Sequence, residues 1–126
     1  MVYPLTPPLL DLLILSIIRQ EDSYGYQISQ QLKGLSNMKD SALYPILRRL
    51  SDNGYVETYD QPYQGRNRKY YRITPSGRLK YRFLYEEWLS HTAAVNHILI
   101  GRDNENNHIS DSIISANSAG TGAEMR

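Results

Sequence analysis

The sequence predicts a mainly α-helical fold with a small β-ribbon: a winged helix-turn-helix domain followed by one long C-terminal helix. Three observations carry this prediction. The stretch Asp40–Thr74 reads as an amphipathic helix followed by two alternating segments, with a basic tip Gly65-Arg66-Asn67-Arg68-Lys69 between them. The net charge of +1 is unevenly spread: residues 39–82 hold ten basic and four acidic side chains, and the flanking segments are both acidic on balance. A long helical segment after Pro75 carries apolar residues at heptad spacing.

The elements follow in chain order. Pro4, Pro7 and Pro8 predict an extended arm over residues 1–8. Leu9 to Arg19 reads as the first helix, with only Asp11 and Ser16 breaking the apolar run up to Ile18. Such a helix needs cover on nearly all sides. A small domain offers little, so Leu9 and Leu13 are expected to meet a second subunit. Asp22 and Ser23 are N-cap candidates for a second helix, whose face is Tyr24, Ile28 and Leu32 and whose stop is Gly34. Asp40 or Ser41 is expected to cap a third helix with Leu43, Ile46, Leu47 and Leu50 as its core stripe. Pro45 lies near enough to the start to be tolerated. Tyr55–Tyr59 and Lys69–Ile73 read as strands, joined by a loop longer than a tight hairpin. Tyr70 and Tyr71 then point to opposite faces, one of them into the core.

Thr74-Pro75 predicts an N-cap and N1 proline for a helix running to about Gly101. Tyr81, Tyr85, Trp88, Thr92, Val95 and Leu99 are spaced 4-3-4-3-4, which is the seam of a helix pair. Leu79 and Phe83 form a second stripe, assigned here to the helix's own domain. Residues 102–126, rich in Asn, Ser and Gly, read as a disordered tail. The domain plan is therefore an arm (1–8), a winged helix-turn-helix (9–74), a dimerisation helix (75–101) and a tail (102–126).

This pattern points to double-stranded DNA. Once the third helix turns its leucines inward, Ser41, Tyr44 and Arg48 project outward, with Lys39 and Ala42 at the same end. A helix of this kind can enter the major groove, where an arginine donates to a guanine edge. At the tip, Gly65, Arg66, Asn67, Arg68 and Lys69 can approach phosphates or a minor groove. Arg49 is rotated off the outer face and reads as a surface residue.

Other chemistries find little support. The chain has no cysteine, which removes disulfides and thiolate metal sites. His91 and His97 do not converge on a helix, and Glu86-Glu87 face different ways. No phosphate loop or nucleophile elbow occurs. Neither a catalytic residue, a metal site nor a cofactor is expected. The Leu9–Ile18 run is too short to span a bilayer, and no signal peptide is visible, so a cytoplasmic protein without membrane association is expected.

Leu12-Leu13-Ile14-Leu15, Tyr24-Gly25-Tyr26-Gln27-Ile28, Ala42-Leu43-Tyr44-Pro45-Ile46-Leu47-Arg48-Arg49-Leu50 and Arg68-Lys69-Tyr70-Tyr71-Arg72-Ile73-Thr74 with Gly77 resemble the PadR-like transcriptional regulators. The resemblance covers about residues 9–100. It implies a homodimeric repressor that binds a pseudo-palindromic operator and pairs through its C-terminal helix. The short subgroup of the family has one such helix, as here. Some relatives stack flat aromatic drugs against a tryptophan of this helix, and the founding members respond to phenolic acids. Trp88 matches that tryptophan. The resemblance thus places a planar aromatic or phenolic ligand near Leu12, Ser16, Tyr85, Trp88 and Thr92. The dimer interface would be Leu9, Leu13, Tyr81, Tyr85, Trp88, Thr92, Val95 and Leu99. Two readings of Trp88 stand side by side: seam packing or ligand stacking. A rival to the whole reading is a winged-helix module for protein interaction or ligand capture, without sequence-specific DNA binding.

Overall fold

A computed structural model describes residues 3–36 and 38–101. The order of elements is α1 (Pro7–Gln20), β1 (Ser23–Tyr24), α2 (Gly25–Leu32), α3 (Asp40–Asp52), β2 (Val56–Tyr63), β3 (Arg66–Ile73) and α4 (Pro75–Ile100). The three strands form an antiparallel sheet in the order β1-β3-β2. The helices and this sheet are those of a winged helix-turn-helix followed by a long C-terminal helix. The expected tail, 102–126, lies outside the described residues. The chain divides into two compact units between Trp88 and Leu89.

The first helix starts earlier than the prolines suggested. Thr6 is extended at φ −78° and ψ 159°, and its hydroxyl accepts the Leu9 N–H at 3.4 Å. Pro7 and Pro8 then occupy the first turn, where a missing N–H costs nothing. The arm is therefore shorter than expected. Ile14, Leu15 and Ile18 of α1 meet Ile28 of α2, Leu43, Leu47 and Leu50 of α3, and Val56, Tyr71 and Ile73 of the sheet in one core. Each fully buried aliphatic side chain contributes about 1.5–3 kcal/mol.

Asp22 and Ser23 do not cap α2. Ser23 and Tyr24 instead pair with Tyr71 and Tyr70 as a two-residue strand. Tyr24 is the cap residue of α2, and its N–H donates to the Gln27 carboxamide at 3.2 Å. Two residues are too few for alternation to be visible in sequence. Helix α3 begins after Lys39, with Asp40 in its first turn rather than as the cap. Pro45 sits inside α3, which runs unbroken. The ring removes the bond to the Ser41 carbonyl, but both residues are exposed, so water can replace it. Ile46 is only partly buried at the edge of the core stripe.

The two longer strands extend almost to each other. Val56 pairs with Ile73 and Tyr63 with Arg66, leaving only Gln64 and Gly65 in the turn. Both have positive φ, 50° and 79°, the pairing of the tight hairpin that matches strand twist. The expected long loop is thus a two-residue hairpin, and its Asp60 and Pro62 lie in β2. Pro62 is accommodated because β2 is an edge strand.

The start of α4 is tied to the end of α3. Gly54 ends α3 at φ 79°, and its carbonyl accepts the hydroxyls of Thr74 at 2.6 Å and Ser76 at 2.9 Å. The Thr74 hydroxyl also accepts the Gly77 N–H at 3.0 Å. Tyr81 and Leu84 pack on the core, and the Arg19 guanidinium lies 4.5 Å over the Tyr81 ring. Leu79 and Phe83, assigned above to the domain, are 62% and 55% exposed. The helix meets its domain through Tyr81 and Leu84, so the stripe that holds Leu79 and Phe83 faces outward. In the second unit, Val95, Ile98 and Leu99 of α4 are exposed, and Thr92 returns its hydroxyl to the Leu89 carbonyl at 3.1 Å.

Candidate nucleic-acid interface

Helix α3 places its side chains as its periodicity requires. Leu43, Leu47 and Leu50 are buried, while Ser41, Ala42, Tyr44, Pro45 and Arg48 are exposed, as is Lys39 just before them. Tyr44 is 47% exposed and leans on the start of α2. A Cβ at Gly25 would lie 2.7 Å from both Cε1 and the hydroxyl of Tyr44. Gly25 therefore sets where Tyr44 rests, a role its place in a helical pattern did not reveal.

Arg48 and Arg49 part company. Arg49 donates to the Asp11 carboxylate of α1 at 2.6 Å. That hydrogen bond raises the pKa of Arg49, with the carboxylate charge adding to it and burial opposing it. A second salt bridge joins Arg72 to Glu57 at 3.0 Å. Lys39, Arg48, Arg66 and Lys69 belong to neither.

The ribbon has two faces. Tyr71 and Ile73 turn into the core, so Lys69 and Asn67 share their side of β3. The other side carries Arg66, Arg68, Tyr70 and Arg72. Tyr70 stacks on Tyr59 with centroids 5.5 Å apart and meets Tyr24 edge-on at 5.5 Å. Arg68 lies 4.0 Å from the Tyr24 ring centroid and 3.5 Å from that of Tyr63, and donates to the Tyr70 hydroxyl at 3.2 Å. That last bond raises the Arg68 pKa. Arg72 lies 4.6 Å from the Tyr59 centroid. The Arg68 guanidinium is thus already occupied by aromatic partners, unlike Arg66 beside the turn and Lys69, exposed further along β3 opposite Asp60. Wing residue Asn67 pairs with Pro62 in a regular ladder.

Tyr59 donates its hydroxyl to Asp22 at 2.7 Å, and this bond raises its pKa. Burial, with a smaller effect of Tyr44, raises that of Tyr71. Both phenols are therefore held neutral by the fold. The stability they contribute is complete below the ordinary tyrosine value of about 10 and is lost as pH rises through their raised values. Thermal melts are expected to fall steeply above about pH 10, and Tyr59→Phe should melt lower at neutral pH with a shallower alkaline fall. An alkaline slope identical to that of the unsubstituted protein would remove Tyr59 from this account.

A second feature lies within the same unit. Between α1 and the first half of α4 is a cavity of about 290 Å³, near the lower end of small-molecule sites. Leu9, Leu12, Leu13 and Ser16 form one wall. Tyr81, Tyr85 and Trp88 form the other, with Leu5 and Leu35 at the margin. Tyr81 and Tyr85 stack with centroids 6.0 Å apart. Of the residues expected near a ligand, Leu12, Ser16, Tyr85 and Trp88 come together here; Thr92 is not among the lining. Trp88 is 37% exposed. Among the described residues no group of three His, Cys, Asp or Glu side chains could hold a metal, and no helix is long and apolar enough to cross a membrane.

The transcriptional regulator PadR-like family matches residues 14–82, which include α2, α3, the whole ribbon and the start of α4. The chain belongs to the PadR-like family. A solved Streptococcus mutans protein is 45% identical, covers 81% of this chain and 96% of its own, and superposes with a TM-score of 0.77. A PadR family transcription regulator from Clostridium difficile is 30% identical, with coverages of 71% and 97% and a TM-score of 0.66. A PadR-like transcriptional regulator from Bacillus cereus is 33% identical, with coverages of 73% and 92% and a TM-score of 0.68. An uncharacterized Lysinibacillus sphaericus protein is 38% identical over 84 residues, 63% of this chain and 77% of that one. This PadR-like chain is thus a winged-helix, DNA-binding regulator of transcription.

Proposed function

We propose that this PadR-like chain is a cytoplasmic homodimeric repressor that reads a pseudo-palindromic operator and is released by a planar aromatic or phenolic ligand. The observation that carries the DNA reading is the exposed set Lys39, Ser41, Ala42, Tyr44 and Arg48 at the start of and along α3, together with a wing whose two-residue turn, Gln64-Gly65, leads into exposed Arg66, Asn67 and Lys69. In this reading Arg48 reads a base edge. Lys39, Arg66 and Lys69 neutralise phosphates, and Arg68 braces the wing through Tyr24, Tyr63 and Tyr70.

The dimer would form through Leu9, Leu13, Tyr81, Tyr85, Trp88, Thr92, Val95 and Leu99. Their apolar side chains remain partly or largely open in a single chain, as Tyr85, Trp88, Val95 and Leu99 illustrate. Two copies would hold two recognition helices on successive turns of the duplex. The cavity beside Trp88 would be closed by the second copy and would accept a flat ring against the indole. The ligand releases DNA only by binding one arrangement of the two heads more tightly than the other.

The test has three readings. Sedimentation should give a dimer. Selection from a random duplex pool should yield a two-fold related site. Planar phenolics should quench Trp88, the only tryptophan, and lower affinity for that site. A dimer whose indole responds to no such compound would leave Trp88 as seam packing and sink the ligand part. A monomer would sink the dimer part.

A further inference from the structure

The Asp11–Arg49 ion pair is the only side-chain hydrogen bond or ion pair joining α1 to α3 among the described residues. Their other contact is apolar: Ile14, Leu15 and Ile18 of α1 share one core with Leu43, Leu47 and Leu50 of α3. The Asp11 side chain is 12% exposed, so its carboxylate has left most of its water. A leucine there would have continued the apolar run of α1 without that cost, and a pair of this kind is weak as a source of stability. What it adds is direction. Apolar burial of Leu43, Leu47 and Leu50 has no preferred orientation, and a leucine stripe tolerates small rotations of α3 about its axis. A charge-assisted bond of 2.6 Å does not.

Arg49 follows Arg48 directly, about 100° further round the helix. With the Arg49 guanidinium held on α1, Arg48 and Tyr44 must stand outward. We propose that the Asp11–Arg49 pair is a strut that sets the rotation of the recognition helix, so that Arg49 positions the base-reading side chains without touching DNA. This rests on the DNA-interface reading above.

A phosphate contact and a strut differ in two ways. Losing a phosphate contact weakens binding to every duplex and lowers the salt dependence by about one. Losing a strut misplaces base-reading groups and acts on the preferred site alone. Removing Asp11 also has opposite consequences. It would release Arg49 for DNA if Arg49 were a contact, and would loosen α3 if the pair is a strut.

The experiment uses the full chain, a fluorescent duplex selected in vitro by the unsubstituted protein, and an unrelated duplex of equal length. Anisotropy is read over a range of salt for Asp11→Asn, for Arg49→Met, and for Asp11→Leu combined with Arg49→Met. The last leaves no stranded charge and keeps the experiment readable if Arg49→Met folds poorly. Each variant is expected to lose about tenfold on the selected duplex and less than about twofold on the unrelated one. The salt slope should be unchanged, and the double variant should lose no more than either single one. Unchanged or tighter binding by Asp11→Asn would overturn the strut. So would additive losses, or a weakening by Arg49→Met that is equal on both duplexes with a lower slope. An Arg48→Ala variant that binds the selected duplex normally would overturn the interface reading instead. A loss confined to Arg48→Ala overturns the strut alone.

Discussion

Gly77→Ala is expected to lose about 3 kcal/mol of folding stability, a drop in Tm of roughly 10 °C or more for a domain of this size. Gly77 is buried in the first turn of α4. A Cβ there would collide with the Tyr55 carbonyl oxygen and would lie 2.8 Å from Ile73 Cγ1. The obstacle is backbone, and that carbonyl already accepts the Thr74 N–H at 3.1 Å. Neither side can give without lifting the start of α4 away from the sheet. Gly34→Ala is the control, because an added Cβ there meets nothing within 4 Å, and its Tm should stay within about 2 °C. Thermal melts by circular dichroism decide the matter. Equal stability of the two variants would show that α4 does not press on Tyr55.

The second large effect concerns the exposed cations. Arg48→Ala is expected to cost about 1–3 kcal/mol on a selected duplex and to relax discrimination at one base pair. Arg66→Ala should weaken all duplexes alike and reduce the salt slope by about one. Arg68→Ala should behave like neither, because its guanidinium serves Tyr24, Tyr63 and Tyr70. Its Tm should fall while its salt slope holds. Titrations by anisotropy over a salt series separate the three. An Arg48→Ala variant with full affinity and discrimination would take α3 out of base recognition. A reduced slope for Arg68→Ala would return that residue to the phosphate-binding set.

Much of this was legible in order along the chain. The leucine stripe of α3, the opposite facing of Tyr70 and Tyr71 and the Thr74-Pro75 start of α4 all follow from local periodicity and backbone chemistry; the structure shows that Tyr71 is the inward one. Four of the nine cavity-lining residues, Leu12, Ser16, Tyr85 and Trp88, were also grouped, although by family resemblance rather than by spacing. The errors share a cause. Ser23-Tyr24 became a strand because β3 offered it a partner, and no two-residue segment announces that. The hairpin is tighter than its Pro62 and Asp60 suggested, because an edge strand tolerates a proline. Leu79 and Phe83 looked like core because apolar spacing records a stripe without recording which way the domain lies.

The sequence by itself determined which residues α3 turns inward, that positive charge gathers over residues 39–82, and that α4 begins at Pro75. These depend on helical period, side-chain charge and proline geometry, all properties of neighbours in the chain. The tertiary structure alone decided how the basic residues divide their work. Arg48 and Arg49 are adjacent and chemically identical, yet Asp11 takes one and leaves the other exposed. Arg66 and Arg68 are two residues apart, yet only Arg68 finds tyrosines from β1, β2 and β3 around it. Asp11 lies far in sequence from Arg49, and Tyr24 from Arg68, and they come close only when the sheet and helices pack. Local pattern can count charges, but it cannot tell which of them the fold has already engaged.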